Sequence, residues 1–198
     1  MPRAFTETEE TAIREQLRRK GLALFAAQGV TKTSVEQITQ SVGIAKGSFY
    51  KFYGSKELLF FELLEDAQNE IRSPLLDAEE KNRAHLEKLL HQMFRAVLNN
   101  PLIHFMGRES ELLAISRKVP AEVLIQHQQD DQKFLDQMIA RWNTRTETPD
   151  RDQVAACITL FMLSCLNQDF IGERLAPYAE DIVVTDLANC FFAADSST

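Results

Sequence analysis

The segment TSVEQITQSVGIAKGSFYKFY, residues 33–53, holds two short helical patterns on either side of a tight turn. Thr33, followed three residues later by a glutamate, has the form of a capping box and predicts a helix over about 34–41. Gly43 ends that helix, and a second short helix is predicted over 45–52. Two short helices joined by a glycine-containing turn have the layout of a helix-turn-helix.

The side chains of this segment divide into an inner and an outer set. Val35, Ile38, Ile44 and Phe49 fall where two such helices pack together, so we expect them to lock the pair. The residues left on the outer side of the second helix are small or polar, which suits entry into the DNA major groove. This outer set consists of Ala45, Lys46, Ser48, Tyr50 and Lys51. The pattern alone is of moderate specificity, because many small helical hairpins share it.

Helical patterns continue on both sides of the helix-turn-helix. Thr6 or Thr8 can cap a first helix, which Gly29 ends. A long helix is predicted over 56–71, until the Ser-Pro pair at 73–74 interrupts it. Further helical patterns lie at about 83–98, 102–115, 120–143, 152–171 and 177–194. Because no strand-like alternation occurs, the sequence predicts an all-α fold of about nine helices.

The predicted organisation is a three-helix head, residues 1–54, joined by the long helix to a larger helical body, residues 55–198. Residues 1–53 hold eight basic and five acidic side chains, a net charge of +3, although the whole chain carries −7. The remaining residues therefore carry −10. A basic head attracts phosphates while an acidic body is repelled by them, which would orient the protein on nucleic acid.

Composition excludes several classes of protein. Hydrophobic residues make up 44% and charged residues 26%, as in a globular domain. No stretch approaches the roughly 18 apolar residues of a membrane span, and no signal-peptide core is present, so we expect a cytoplasmic protein without a membrane partner. Cys157, Cys165 and Cys190 lie on apolar stretches, and we interpret them as buried free thiols.

No catalytic or metal-binding motif is visible. The four histidines are not spaced to share a metal ion, and no phosphate loop or activated nucleophile motif occurs. One acidic grouping consists of Glu109, Glu111, Asp130 and Asp131. Such runs usually form a solvated surface, with a cation-binding pocket as the alternative. We expect no enzyme, no metal and no cofactor.

Residues 12–64 contain a longer ordered series of motifs, over about a quarter of the chain. The series consists of Leu24-Phe25, Gly29, Thr31 to Ser34, Ile38, Val42-Gly43, Gly47-Ser48-Phe49-Tyr50, Tyr53 and Ser55-Lys56-Glu57. In this order and spacing it resembles the N-terminal region of the TetR family of bacterial regulators. An ordered match of this length is specific, whereas the rest of the chain shows no motif of that family.

The resemblance implies particular DNA contacts. The side chains it assigns to backbone phosphates are Thr33 or Ser34, Tyr50 and Lys56. It places Lys46 and Ser48 at base edges, and it implies that Gly47 lets the recognition helix approach the duplex closely. Phe52 and Tyr53 depart from the usual pattern, and we expect Tyr53 to pack against the first helix. The alternatives are that Tyr50 is a core residue with an exposed hydroxyl, and that Lys46 and Lys51 are ordinary solvated lysines. Lys56 and Glu57, near a helix start, could likewise be only surface charge.

The last two predicted helices, 152–171 and 177–194, are apolar on more than one side. One side should face the body and another a second subunit. In TetR-like proteins these helices usually form a four-helix bundle across a twofold axis, so the resemblance implies a homodimer. The predicted interface residues are Ile158, Cys165, Ile182, Leu187 and Phe191.

The central helices are rich in phenylalanine and methionine. A solid core is the better interpretation for any single residue. The family resemblance, together with this density of large side chains, favours an apolar effector pocket in the body, with His104, His127 or Gln168 as polar anchors. The predicted lining consists of Phe94, Leu98, Phe105, Met106, His127, Phe134, Phe161 and Met162.

Together with the resemblance, these features predict a dimeric DNA-binding transcription regulator. The expected mechanism is that of a repressor, released from a palindromic double-stranded operator by a small, largely apolar effector. One alternative is a helix-turn-helix dimer that binds DNA as a scaffold and has no effector pocket. Another alternative is a small helical enzyme.

Overall fold

The computed structural model describes residues 5–106, 109–144 and 148–192, and within these ranges the chain forms eleven α-helices and no strand. The helices are α1 (Glu7–Lys32), α2 (Val35–Val42), α3 (Lys46–Phe49), α4 (Lys56–Asp77), α5 (Arg83–Asn99), α6 (Pro101–Met106), α7 (Glu109–Ser116), α8 (Ala121–Trp142), α9 (Arg151–Leu166), α10 (Gln168–Ile171) and α11 (Ala176–Asn189). The predicted all-helical class, with a small head and a larger body, is confirmed.

Local signals set both ends of α1. The Thr6 hydroxyl accepts a hydrogen bond from the Glu9 N–H at 3.3 Å, and the Glu9 carboxylate accepts one from the Thr6 N–H at 2.8 Å. This capping box satisfies two backbone donors that have no partner within the helix. Gly29 leaves the helical conformation at φ +82°, as its predicted role requires. The chain then makes one more turn, to Lys32, before α2 begins.

The cap of α2 lies one residue later than the sequence pattern predicts. The Ser34 hydroxyl accepts from the Gln37 N–H at 3.1 Å, and the Gln37 side chain accepts from the Ser34 N–H at 2.8 Å. Thr33 is buried, and its hydroxyl donates to the Gly29 carbonyl at 2.7 Å. Either of the two adjacent hydroxyl residues, Thr33 and Ser34, could have capped α2. Because Thr33 is buried and bonded to Gly29, Ser34 is the cap.

The predicted interruption at 73–74 is wrong, because α4 continues through Pro74 to Asp77. Proline has no N–H, so the Glu70 carbonyl loses its usual partner four residues on. The Ser73 hydroxyl donates to that carbonyl at 3.2 Å. The side chain next to the proline thus replaces the missing backbone donor.

The body packs around α4 and α5. Helices α8, α9 and α11 cover them, and α9 lies against α11. Trp142, at the end of α8, is fully buried, and its indole N–H donates to the Leu75 carbonyl of α4 at 2.9 Å. A buried indole with a satisfied N–H ties the far end of α8 to α4.

The count of about nine helices was too low because two predicted helices are each divided. The pattern over 102–115 forms α6 and α7, and the pattern over 152–171 forms α9 and α10. At the second division the Asn167 amide donates to the Leu163 carbonyl at 2.7 Å. Among the described helices, none is both long and apolar enough to cross a membrane.

Head and body meet where α1 crosses α4 at Gly21. A Cβ added to Gly21 would lie 2.8 Å from Cδ2 of Leu59, which is fully buried. Further along the same contact, the Arg18 guanidinium binds the carboxylates of Glu62 and Asp66. The absence of a side chain at Gly21 therefore sets how closely α1 approaches α4.

We expect Gly21→Val to destabilise the fold by about 1–3 kcal/mol, because the fully buried Leu59 side chain would have to shift to admit the new side chain. Urea unfolding followed by circular dichroism measures the change. The control is Arg19→Val, which places the same β-branched residue on the exposed side of α1 and should shift stability by no more than about 0.5 kcal/mol. Equal unfolding midpoints for the two variants would contradict a tight α1–α4 contact.

Candidate nucleic-acid interface and body cavity

The helix-turn-helix is locked by the predicted apolar residues. Ile38 and Phe49 are fully buried, and Val35 and Ile44 pack against them. Gly43 supplies the turn in the left-handed conformation, at φ +80°. With no side chain at this position, α3 can start immediately after α2 at an angle.

The predicted outer set lies together on the exposed side of α3. Ala45, Lys46, Gly47 and Lys51 are exposed, and Ser48 is half-buried. Tyr50 is 53% exposed. Its ring packs edge to face with that of Phe49, and the two ring centroids are 5.6 Å apart. More than half of Tyr50 is exposed, so the alternative of a core residue with only its hydroxyl exposed does not hold.

Two of the lysines have partners within the head. Lys46 forms an ion pair with Glu36 of α2, and this contact lowers the pKa of the Glu36 carboxyl. The Lys51 ammonium lies 5.3 Å from the centre of the Phe5 ring. Both side chains stay at the surface, so these contacts can exchange for phosphate or base contacts at small cost.

Two predicted phosphate ligands do not lie on this exposed side. Thr33 is only 1% exposed, and its hydroxyl donates to the Gly29 carbonyl, as described above. The Lys56 ammonium donates to the Val30 and Thr33 carbonyls at the end of α1. Burial lowers the pKa of Lys56. In this arrangement both side chains cap α1 instead of facing a duplex, whereas Ser34 is half-buried at the rim.

A buried polar cluster surrounds Lys56 at the junction of head and body. Glu57 is 6% exposed, and its carboxylate lies 3.9 Å from Lys56 and 3.2 Å from the Lys118 ammonium. Glu111 of α7 is 8% exposed and accepts the Thr31 N–H at 3.1 Å. The sequence marked Glu111 only as part of an acidic run, because its partner lies 80 residues away.

A cleft of about 460 Å³ opens beside this cluster, between the head and the start of α4. The cations along it are Lys32, Lys46, Lys56 and Lys118, and the Tyr50 side chain forms part of its wall. Lys118 is 63% exposed and comes from the body, so sequence reasoning confined to the head missed it. Glu36 and Glu57 also line the cleft, so the four lysines leave its wall with a net positive charge.

The body encloses a second, mostly apolar cavity of about 370 Å³. Its walls come from α4, α5, α6, α8 and α9. Of the predicted lining residues, Phe134 and Met162 are in its wall. The polar groups at its edge are those of Gln68, Arg72, Asp131, Gln132 and Thr159.

Several predicted lining residues belong elsewhere. Phe94 and Phe161 are buried in the core, with their rings edge to face at 5.2 Å. Leu98 packs against the same core. His127 lies outside the cavity wall, with its ring 5.2 Å from Phe61 and its Nδ1 atom 3.6 Å from Glu65. The side chains of Phe105 and Met106 lie outside the part of the chain that the structure describes.

An apolar surface is exposed on α9, α10 and α11. Its members are 49–92% exposed: Leu160, Leu163, Phe170, Leu175, Tyr178 and Ile182. Ile182 was among the predicted interface residues. Three other members of that set, Cys165, Leu187 and Phe191, are at most 1% exposed within one subunit. They have almost no area left to bury against a partner, so their assignment to an interface is wrong.

The error has a simple cause. Both helices are apolar on two sides, and the sequence does not say which side packs on the body. Ile158 faces the cavity of its own subunit. The apolar side that faces outward on α9 contains Leu160 and Leu163 instead.

The cysteines are free thiols, with Cys165 and Cys190 buried and Cys157 half-buried. Burial raises the pKa of Cys165 and that of Cys190 to about 12 each. The Cys157 and Cys190 sulfurs lie 3.7 Å apart. Within the described ranges, no three histidine, cysteine or acidic side chains converge to hold a metal ion.

Comparison with known sequences identifies the head. Residues 17–63 match the family described as bacterial regulatory proteins, tetR family. A segment of 72 residues is 36% identical to the HTH-type transcriptional repressor DhaR from Mycobacterium sp. (strain GP1). That segment is 34% of this chain and spans only 36% of the relative's length.

Comparison with solved structures extends over the whole fold. A TetR transcriptional regulator from Rhodococcus sp. RHA1 has a TM-score of 0.63 at 15% identity, covering 96% of this chain and 100% of its own. RolR, solved in complex with the ligand resorcinol, has a TM-score of 0.56 at 16% identity, covering 97% of each chain. At these identities the likeness shows the fold.

A substitution at Gly47 can distinguish an effect on DNA binding from an effect on folding. Nothing lies within 4 Å of a Cβ added at this residue, so Gly47→Ala should keep or slightly raise the melting temperature. We expect the same change to weaken binding to duplex DNA roughly tenfold, because the methyl group stands on the exposed side of α3. Fluorescence anisotropy measures binding, and a melting curve of the same sample is the control. Unchanged DNA affinity would show that α3 does not approach the groove at Gly47.

Proposed function

The chain belongs to the TetR family of bacterial regulatory proteins, and from that membership we propose that it is a dimeric repressor released from a palindromic operator by a small effector. The observation that supports DNA binding is the exposed side of α3, which the buried side chains of Ile38 and Phe49 hold in place. Lys46 and Ser48 are proposed to read base edges, while Tyr50 and Ser34 contact phosphates. Ala45, Gly47 and Lys51 complete the surface.

The cationic cleft supports a second set of phosphate contacts. Lys32, Lys46 and Lys118 line it beside Tyr50, so a DNA strand leaving α3 would pass positive charge from both head and body. Lys56 is proposed to act from inside, by holding the end of α1 in place. We place the protein in the cytoplasm because its proposed operator is chromosomal.

Dimerisation is proposed through the exposed apolar surface of α9–α11. Its side chains form an area that a monomer would leave in water, and a twofold partner would bury two copies of it. Such a pair would carry two α3 helices, as a palindromic operator requires at a spacing of about 34 Å.

The cavity is proposed to bind the effector, and α4 to transmit its presence. Gln68, Ile71 and Arg72 of α4 line the cavity, while Lys56 at the other end of α4 holds α1. A ligand that shifts α4 would therefore shift the head. Ligand and DNA would then weaken each other's binding by the same factor. The proposed division into a head, 1–54, and an effector-binding and dimerisation body, 55–198, follows from these roles.

The test is fluorescence anisotropy of the purified protein with the DNA that flanks its own gene, at two salt concentrations. We expect selective binding at two subunits per site that weakens as salt rises. Tyr50→Phe should weaken binding to every duplex, whereas Lys46→Ala should change the preference among sequences. Equal affinity of both variants for all duplexes would refute these assignments.

Selective DNA binding without any response to ligands would favour the scaffold alternative. That outcome is recognised by an unchanged melting temperature across a panel of small apolar compounds.

For the interface, we expect Leu160→Glu and Ile182→Glu each to convert the dimer to a monomer, because a carboxylate buried without a partner costs several kcal/mol. Light scattering after size-exclusion chromatography measures the mass. The matched control is Ile125→Glu on α8, since Ile125 is also exposed, at 53%, but belongs to a helix outside the proposed interface. Dimers in all three variants would place the interface elsewhere.

A further inference from the structure

The polar groups of the body cavity meet at one corner. The Arg72 guanidinium lies over the Phe134 ring, 4.8 Å from its centre, and donates to the Asp131 carboxylate at 2.7 Å. Arg72 thus has its position set by a ring on one side and a carboxylate on the other. The bond to Asp131 uses one of five N–H donors, so others remain for a ligand.

The charges at this corner balance. Arg72 and Asp131 are the charged residues in the cavity wall, and they carry opposite signs. The other Asp131 oxygen, Oδ2, lies 3.7 Å from Nε2 of His127. The second ring nitrogen of His127, Nδ1, lies 3.6 Å from the Glu65 carboxylate. A ligand carboxylate at this corner would be repelled by Asp131, and a ligand ammonium by Arg72.

An uncharged hydroxyl satisfies both partners at once. It can accept an N–H bond from Arg72 and donate to a free lone pair of Asp131. Apart from Gln68, Gln132 and Thr159, the remaining wall is aliphatic, methionine and phenylalanine, including Met93, Ile158 and Met162. An apolar group attached to the hydroxyl would be buried there.

The size of the cavity limits the ligand. A volume of about 370 Å³ corresponds to about a dozen water-sized volumes of roughly 30 Å³ each. A molecule of about a dozen non-hydrogen atoms fills it, for example one ring with a short alkyl chain.

We propose that the cavity selects an uncharged, largely apolar compound of about a dozen non-hydrogen atoms that bears a hydroxyl group, with the hydroxyl held between Arg72 and Asp131. This assignment rests on the proposed function for its regulatory meaning, but the selectivity of the cavity can be measured without DNA.

The test uses three probes of matched shape with the full-length protein: para-butylphenol, butylbenzene and para-butylbenzoate. Isothermal titration calorimetry near neutral pH gives each affinity. We expect the phenol to bind at least about tenfold more tightly than either of the others, a difference of about 1.4 kcal/mol. Binding of the benzoate in preference to the phenol, or binding of none of the three, would overturn the proposal.

Two variants test the corner itself. Asp131→Asn removes the negative charge but keeps the shape, so it should raise the affinity for para-butylbenzoate about tenfold. Asp130→Asn, one residue along on the exposed side of α8, is the matched control and should leave all three affinities unchanged. A benzoate affinity that is the same in both variants would refute the role of Asp131, and a merely structural role would not produce the gain.

Met162→Trp fills the cavity and should abolish phenol binding; Ala155→Leu serves the same purpose if the tryptophan variant does not fold. Persistent phenol binding in a folded cavity-filling variant would place the site elsewhere and overturn the proposal. Release of DNA is then tested separately, by adding the phenol to the protein–DNA complex. Tight, hydroxyl-dependent binding without release would uphold the ligand class and count against the repressor mechanism alone.

Discussion

The contact on which the head depends is the one between the Lys56 ammonium and the carbonyls at the end of α1. A helix C-terminus carries partial negative charge and carbonyls that lack helical partners. Lys56 supplies the opposite charge from the first turn of α4, and the Glu111 carboxylate takes the neighbouring Thr31 N–H. The end of α1 is thereby satisfied by residues of the body, so the head has no position of its own that is independent of α4 and α7.

This dependence explains why α4 matters to both ends of the molecule. Its first turn caps α1, its middle contacts α1 through the Gly21–Leu59 approach and the Arg18 ion pairs, and its later turns form one wall of the cavity. The helix passes through Pro74 without a break because Ser73 replaces the lost hydrogen bond. One continuous helix thus connects the cavity wall with the end of α1, which directly precedes the helix-turn-helix.

The helices along the chain and the packing of the helix-turn-helix were predictable from local sequence, whereas the packing of the body helices against one another was not. Gly43, Ile38, Phe49 and Tyr50 carry short-range signals, and the structure places each as expected. The resemblance assigned phosphate contacts to Thr33 and Lys56. In the structure both side chains donate to backbone carbonyls, and no sequence pattern predicts such partners. In the body, helices with apolar residues on more than one side do not reveal which side is buried. The sequence therefore could not distinguish the buried Leu187 and Phe191 from the exposed Ile182. The pairing of Arg72 with Asp131 spans 59 residues and depends wholly on the tertiary fold.

Leu163 belongs to two surfaces at once. It lines the body cavity and is also 51% exposed within the apolar surface of α9–α11. A partner packed on that surface would close the rim of the cavity that Leu163 leaves open. The rate at which a bound molecule leaves the cavity would then depend on protein concentration, because dilution to monomers would widen the entrance. The lifetime of a bound molecule would thus be a property of the pair of subunits.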